Sequence, residues 1–178
     1  MVRSGEGRYL LCMSIPPQWL SHVLVRPLGM RLALVALLFL PASVIPVATA
    51  QAAPGDYTVA RYEARVHTAV DAERVSRGRT RLSLGGCVDR YATRWSARLA
   101  HAGLLVHSSM TGMLRGCRST RVAENLAYGA MTPEQVVAMW MVSPAHRANV
   151  LDGRLTTVGV AATYRQGQWS VVLDLARP

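Results

Sequence analysis

The sequence contains no Lys, and a single Phe in 178 residues. All twenty of its basic side chains are Arg, against ten Asp plus Glu. A GC-rich coding bias produces such one-sided usage; a physical need for positive charge does not. Cysteine is scarce as well: there are three, with no pair at zinc-finger spacing, which excludes a zinc finger or ribbon. Neither common glycine-rich phosphate loop occurs, so the two widespread nucleotide-binding folds built on those loops are excluded. No uninterrupted apolar run reaches about 18 residues, which excludes a multi-spanning membrane protein. What the chain does hold is apolar mass, 51% of its residues, enough for a packed core and too much for wholesale disorder. At this length one domain is expected.

The first fifty residues read as an address. Arg31 is followed by the apolar run Leu32 to Phe39, then Pro41, Pro46 and a small-residue stretch ending Ala48-Thr49-Ala50-Gln51-Ala52. A positive residue, a short apolar run and two overlapping A-x-A sites make a secretory signal, with cleavage after Ala50 or Ala52. The prolines leave the run short for a permanent anchor, so contact with the membrane is expected only through this transient segment. Met30 begins a signal of ordinary length. Residues 1–29, with Cys12, Trp19 and His22, then read as an overlong leader or a mis-assigned start, and residues 30–52 as the signal itself. An extracellular location follows.

The mature part is Ala53 to Pro178, 126 residues with sixteen Arg and nine acids, about +7. That charge suits anionic cell-wall polymers or membrane surfaces outside the cell. The Arg are spread along the sequence rather than clustered, and an exported chain rarely meets nucleic acid, so no nucleic-acid role is expected. Cys87 and Cys117 are the two cysteines left after cleavage, an even pair in an oxidising compartment, and a structural disulfide between them is expected.

Periodicity predicts helices first and strands last. Val59, Tyr62, Val66, Val70 and Val75 form a helical stripe that Gly78 stops. Val88, Tyr91, Ala92, Trp95 and Leu99 recur at i, i+3, i+4 in a second helix ending at Gly103. Leu104 to His107 is a short apolar segment, and Ser108 to Arg121 reads as a loop. Ala123 to Gly129 is a short structured stretch. Thr132-Pro133-Glu134-Gln135 carries an N-cap, a first-turn proline and a capping-box Gln; Val136, Val137, Met139, Trp140 and Met141 bury the helix that follows. Ser143-Pro144 opens a short helix through His146 and Leu151. Thr156 to Tyr164 and Trp169 to Leu175 then alternate like strands around Arg165-Gln166-Gly167-Gln168, a hairpin. The class is α+β, with helices covering an antiparallel sheet.

Four His remain in the mature part. His67 and His101 lie inside helices among ordinary neighbours, with surface or packing roles. His107 and His146 stand at element boundaries, and Glu124 sits among Val122, Ala123, Leu126 and Ala127, where a carboxylate needs exposure or a partner. Two imidazoles and a carboxylate brought together suit a divalent ion such as zinc, or acid–base chemistry. Trp95 and Trp140 are expected in the core, and Asn125 and Asn149 on backbone turns.

Ala92-x-x-Trp95-Ser96-x-x-Leu99-Ala100-x-x-Gly103, then His107-Ser108, then Ala123-Glu124-Asn125-Leu126-Ala127-x-Gly129, then Trp140-Met-x-Ser143-Pro144-x-His146-Arg147-x-Asn149-Val150-Leu151, then Val158-Gly159-Val160-Ala161 resembles the CAP superfamily. That superfamily comprises cysteine-rich secretory proteins, antigen 5 and pathogenesis-related proteins; the likeness is to its single-domain bacterial branch and spans nearly all of residues 53–178. It implies an α-β-α sandwich with a central antiparallel sheet and a cavity lined by two His and two Glu. His107, Glu124 and His146 match three of the four positions. The second Glu is replaced by Ser143, so the resemblance implies a three-residue cavity with Ser143 at its edge. Glu134 lies on the same helix, but its place in the first turn explains it through the helix dipole.

Three functions follow as expectations. The first is a secreted binding module without catalysis, holding a divalent cation through His107 and His146 and a lipid, sterol-like or cell-wall ligand in a groove. The second is a metal-assisted hydrolase of peptide or wall polymer with Glu124 as general base; only Ser108 and Ser109 offer themselves as nucleophiles, by adjacency to His107. The third is a secreted structural domain with a vestigial cavity.

Overall fold

The structure, a computed structural model, describes residues 52–178. Residues 1–29 and the signal segment up to Gln51 lie outside the described residues. Among the described residues no helix is long and apolar enough to cross a membrane.

After a short turn at Pro54–Asp56 come α1 (Val59–Val75), β1 (Ser83–Leu84), α2 (Gly86–Ala102), α3 (Met110–Gly116), β2 (Arg121–Gly129), α4 (Pro133–Val142), α5 (Pro144–Leu151), β3 (Thr157–Arg165) and β4 (Gln168–Arg177). The helix ends follow local chemistry. Thr58 caps α1 by accepting from Arg61 N, and Thr132 and Gln135 close a reciprocal capping box on α4. Gly103 ends α2 in the left-handed conformation at φ 65°. At the hairpin tip both Gln166 (φ 50°) and Gly167 (φ 78°) take positive φ, the geometry whose twist matches two antiparallel strands.

The sheet order is β1-β3-β4-β2; β2–β4 and β3–β4 are antiparallel, and the two-residue β1 pairs in parallel with β3. Alternation along β4 divides the core. Trp169, Val171, Leu173 and Leu175 pack with Tyr62, Val66, Val70, Val136, Val137, Trp140 and Val150 of α1, α4 and α5. Val172 and Ala176, on the other face, pack with Ala92, Leu99 and Val88 of α2 and Met113 of α3. Helices thus cover both faces of the sheet, the α-β-α sandwich. The α2 layer lies very close to β3: a Cβ on Gly159 would stand 2.4 Å from Asp89 N and 2.6 Å from its Cα.

Several local expectations shift. Ser108–Arg121 is not one loop; it contains α3 and the start of β2, with the Cys87–Cys117 disulfide tying the start of α2 to the end of α3. Val59 and Val75, at the two ends of the α1 stripe, are exposed, because the stripe drifts off the core there; Met139 of α4 is likewise at the surface. Trp95 is only partly buried; its Nε1 donates to Val106 O at 3.0 Å. Trp140 is fully buried and donates to Leu126 O at 2.9 Å, joining α4 to β2. Arg74, also fully buried, is a hub of main-chain contacts: Nε donates to Thr80 O, and its Nη atoms donate to the carbonyls of Val150, Asp152 and Leu155. Those bonds fasten α1 to the end of α5.

Candidate functional site

The site grows from one carboxylate. Val122, Glu124 and Leu126 of β2 alternate onto the α2/α3 side of the sheet, where Val122 and Leu126 join apolar clusters. Glu124 therefore points into a packed layer, 4% exposed, and burial obliges it to find donors. The chain leaving α2 supplies them. It turns at Gly103, is pinned at Val106 by the Trp95 indole, and delivers His107 Nδ1 at 2.7 Å and Ser108 N at 2.9 Å to the same oxygen, Oε1. An ionised carboxylate only accepts, so Nδ1 is the donor in this contact, and the His107 ring is largely exposed.

His146 reaches the region from α5. Asn125 Nδ2 donates to its carbonyl at 3.0 Å, while Asn149 Nδ2 donates to Glu124 O at 3.3 Å and to Asn125 Oδ1 at 2.9 Å. The two asparagines thus rivet α5 to β2; their partners lie in the helix and the strand rather than on the backbone turns that the sequence context suggested. Burial first, and then the charge of His107, hold the His146 imidazole below its ordinary pKa. Its Nδ1 is buried without a hydrogen-bond partner. Ser143 caps the start of α5 through its backbone position, and its side chain makes no capping bond. Glu134 belongs elsewhere: Arg65 Nε donates to its Oε1 at 2.7 Å, across from α4 to α1. His67 Nε2 is hydrogen-bonded to Leu82 O at 3.2 Å, a structural role, and His101 is exposed.

The sequence reading missed Asp174. Glu124 and Gly159 are its partners on the two flanking strands, so two carboxylates stand opposite each other across β2 and β4. Asp174 is 1% exposed, and its Oδ1 and the free Oε2 of Glu124 are both buried without partners. Desolvation, and after it the charge of Glu124, push its pKa up to about 8, so that it is a neutral acid near pH 7. One signal in the sequence points to it: Ser170, Val172, Asp174 and Ala176 share a face of β4, and in a sandwich that face is covered.

The donors suit a divalent cation in kind. His107 is oriented by a carboxylate in the manner of metal-bound imidazoles, and His146 offers an unpartnered nitrogen. Among the described residues, no three His, Cys, Asp or Glu side chains gather closely enough to hold an ion by themselves. An ion at His107 and His146 would fill its remaining positions with water or ligand, and when bound would supply Lewis acidity. Ser108 and Ser109 make no hydroxyl contact with His107 among the described residues, so no nucleophile–base pair is assembled.

A separate hollow of about 510 Å³ lies between α1 and α4. Thr68, Ala69, Ala72, Val137 and Ala138 line it together with Glu73 and the Arg65–Glu134 pair.

The profile of the CAP family, described as the cysteine-rich secretory protein family, matches residues 67–175. YkwD of Bacillus subtilis is 30% identical over 137 residues, which is 73% of this chain and 52% of that protein; the chain spans about half the length of this curated relative. Among solved structures, an extracellular SCP-domain protein of Bacillus anthracis aligns with a TM-score of 0.61 at 17% identity, covering 67% of this chain and 41% of that one. An outer surface protein of Borrelia burgdorferi aligns at 0.59 and 14% identity, covering 63% and 89%. A cysteine-rich secretory protein of Staphylococcus aureus aligns at 0.57 and 14%, covering 69% and 40%.

Proposed function

The chain belongs to the cysteine-rich secretory protein (CAP) family, and on that premise we propose that it is a secreted, non-catalytic module that binds a single-chain lipid between α1 and α4. The observation that carries this reading is the groove itself. Its volume of about 510 Å³ falls in the ordinary range for small-molecule sites, and its walls are mostly Ala, Val and the methyl-bearing Thr68. Small side chains on two packed helices leave a slot in which an alkyl chain replaces water, at about 0.8 kcal/mol for each buried methylene. Arg65 in the lining offers a cation to an acidic head group, with Glu134 as its resting partner. A divalent ion held by His107 and His146 is the second part of the same reading, a site separate from the groove in its lining residues.

A long-chain fatty acid titrated into the protein should saturate one site. Ala138→Trp, which fills the groove from an exposed position on α4, should abolish binding, and Arg65→Ala should weaken it. Absence of saturable binding, or an Ala138→Trp variant that binds normally, overturns the lipid reading. Calorimetric titration with zinc, beside His107→Ala and His146→Ala, tests the ion. Binding lost in both variants, and falling with pH as the imidazoles protonate, is the expected result.

The metal-assisted hydrolase remains as a second reading because Glu124 contacts His107 and faces a protonated Asp174. It requires turnover of a peptide or wall polymer that Glu124→Gln removes with the fold intact. Ligand binding without turnover favours the module over both the hydrolase and a purely structural domain.

A further inference from the structure

Charge is unevenly distributed along residues 53–178. From Arg90 to Ala123 there are six Arg and no Asp or Glu, while the rest of residues 53–178 holds ten Arg and nine acids. Four of the six (Arg90, Arg94, Arg98 and Arg115) lie on α2 and α3, where Asp89 is the one acid; Arg118 follows α3 and Arg121 opens β2. Arg121 lies 3.8 Å from Asp152; among the described residues, Arg90, Arg94, Arg98, Arg115 and Arg118 have no carboxylate within salt-bridge distance. Arg90, Arg94 and Arg98 follow one another at four-residue steps, one stripe along the exposed side of α2.

Beside that stripe stands an apolar knuckle. Leu104, Leu105 and Val106 are 62%, 52% and 51% exposed, three consecutive large apolar residues facing solvent. They are held there: Gly103 fixes the turn before them, and the Trp95 indole bonds Val106 O. Such a run is costly in water and marks a contact surface. Between the stripe and the start of α3 lies a hollow of about 390 Å³ lined by Tyr91, Arg94, Trp95, Arg98, Ser108 and Ser109, with Gly112. The Arg94 guanidinium stacks 4.7 Å from the Tyr91 ring centroid and Arg98 lies 5.8 Å from that of Trp95, so both cations are pre-oriented on aromatic walls.

We propose that the α2–α3 layer docks on an anionic phospholipid surface, with a lipid phosphate between Arg94 and Arg98 and Leu104–Val106 inserted among the acyl chains. Charge and shape agree on this occupant: exposed arginines for the phosphates, an apolar tip for the hydrocarbon, and a partly buried indole where interfacial aromatics sit. An acidic soluble polymer would satisfy the arginines and leave the knuckle in water. The membrane contact is additional to the one expected of the signal segment, and it is independent of the α1–α4 groove.

The test is sedimentation of the full chain with vesicles of phosphatidylcholine alone or with phosphatidylglycerol. The Arg31 to Phe39 run is the same in every variant, so differences between variants report on α2 and the knuckle. Wild type should bind the phosphatidylglycerol vesicles at least tenfold more tightly. Arg94→Gln with Arg98→Gln should lose about 30-fold, from about a factor of five per arginine. Leu104→Ser with Leu105→Ser should lose about tenfold or more on the same vesicles. All four positions are at the surface, and unchanged thermal melts show that the fold is kept. Equal binding to both vesicle types, or variants that bind as wild type does, overturns the proposal. So does displacement from the vesicles by millimolar inorganic phosphate at constant ionic strength when Leu104→Ser/Leu105→Ser binds normally, since that assigns the hollow to a small soluble anion.

Discussion

Replacing Asp174 by Asn should flatten the dependence of stability on pH. In the folded chain Asp174 keeps its proton up to about pH 8, because burial and the opposing Glu124 disfavour its charge. In the unfolded chain the same group releases its proton near pH 4. Between those values the native state binds more protons than the unfolded state, so raising the pH costs stability, by up to about 1.4 kcal/mol per unit. Across the whole window the ceiling is about 5 kcal/mol, a large share of the roughly 5–15 kcal/mol that holds a domain together. Below about pH 4 the group is protonated in both states and contributes no slope; above about 8 the loss is complete. Asn has nearly the same shape, carries no proton to lose, and its amide can donate to Glu124 Oε2. Urea denaturation at a series of pH values, with the disulfide intact, reads the difference directly. Wild type and Asp174→Asn should differ little near pH 4, and the variant should be more stable by several kcal/mol at pH 8 to 9. A wild-type curve flat between pH 5 and 8, or a slope that survives in Asp174→Asn, would refute the assignment of a buried neutral acid.

Gly159→Ala should destabilise the domain by about 1–3 kcal/mol or more, because the added methyl meets the Asp89 backbone rather than a side chain that can swing away; thermal melting measures it. Arg74→Met should cost at least about 3 kcal/mol in denaturant titration, since the carbonyls of Thr80, Val150, Asp152 and Leu155 lose their donor together. Reducing Cys87–Cys117, or replacing both by Ser, should lower stability by about 3–4 kcal/mol for the span of 30 residues it closes, with the loss visible as a shift in urea midpoint.

Where structure is decided locally, the sequence is readable. The Thr132-Pro133-x-Gln135 start, the Gly103 stop and the Gln166-Gly167 turn are written in residues that act on their immediate neighbours, and each appears where the pattern puts it. What escapes is structure that exists through its partners. α3 has two glycines in seven residues and poor helical pattern; it is held by Met113 packing on the sheet and by the disulfide. The two residues of β1 are a strand only because β3 lies beside them. At the site, His107, Glu124 and His146 stand out by their element boundaries and apolar neighbours and again by resemblance to a family, but the contact between the first two depends on a loop closure that spacing alone could not foretell. Asp174 escaped for the opposite reason. Flanked by Leu173 and Leu175, it reads as the water-facing member of an alternating strand, and only the second helical layer turns that face inward.

The position of β4 bears on the order in which the domain can form. It is the final strand in sequence, yet it lies between β3 and β2 and supplies the ladder for both. Until residues through Arg177 have left the ribosome, β2 has no neighbour to pair with, and Glu124 has no covered face to occupy. The β3–β4 hairpin can close quickly across its short turn, but joining it to β2 encloses α4 and α5 in a long loop and pays that entropy at one stroke. The sheet is therefore completed only when β4 arrives, and β2, α4 and α5 are fixed to the β3–β4 hairpin in that one step.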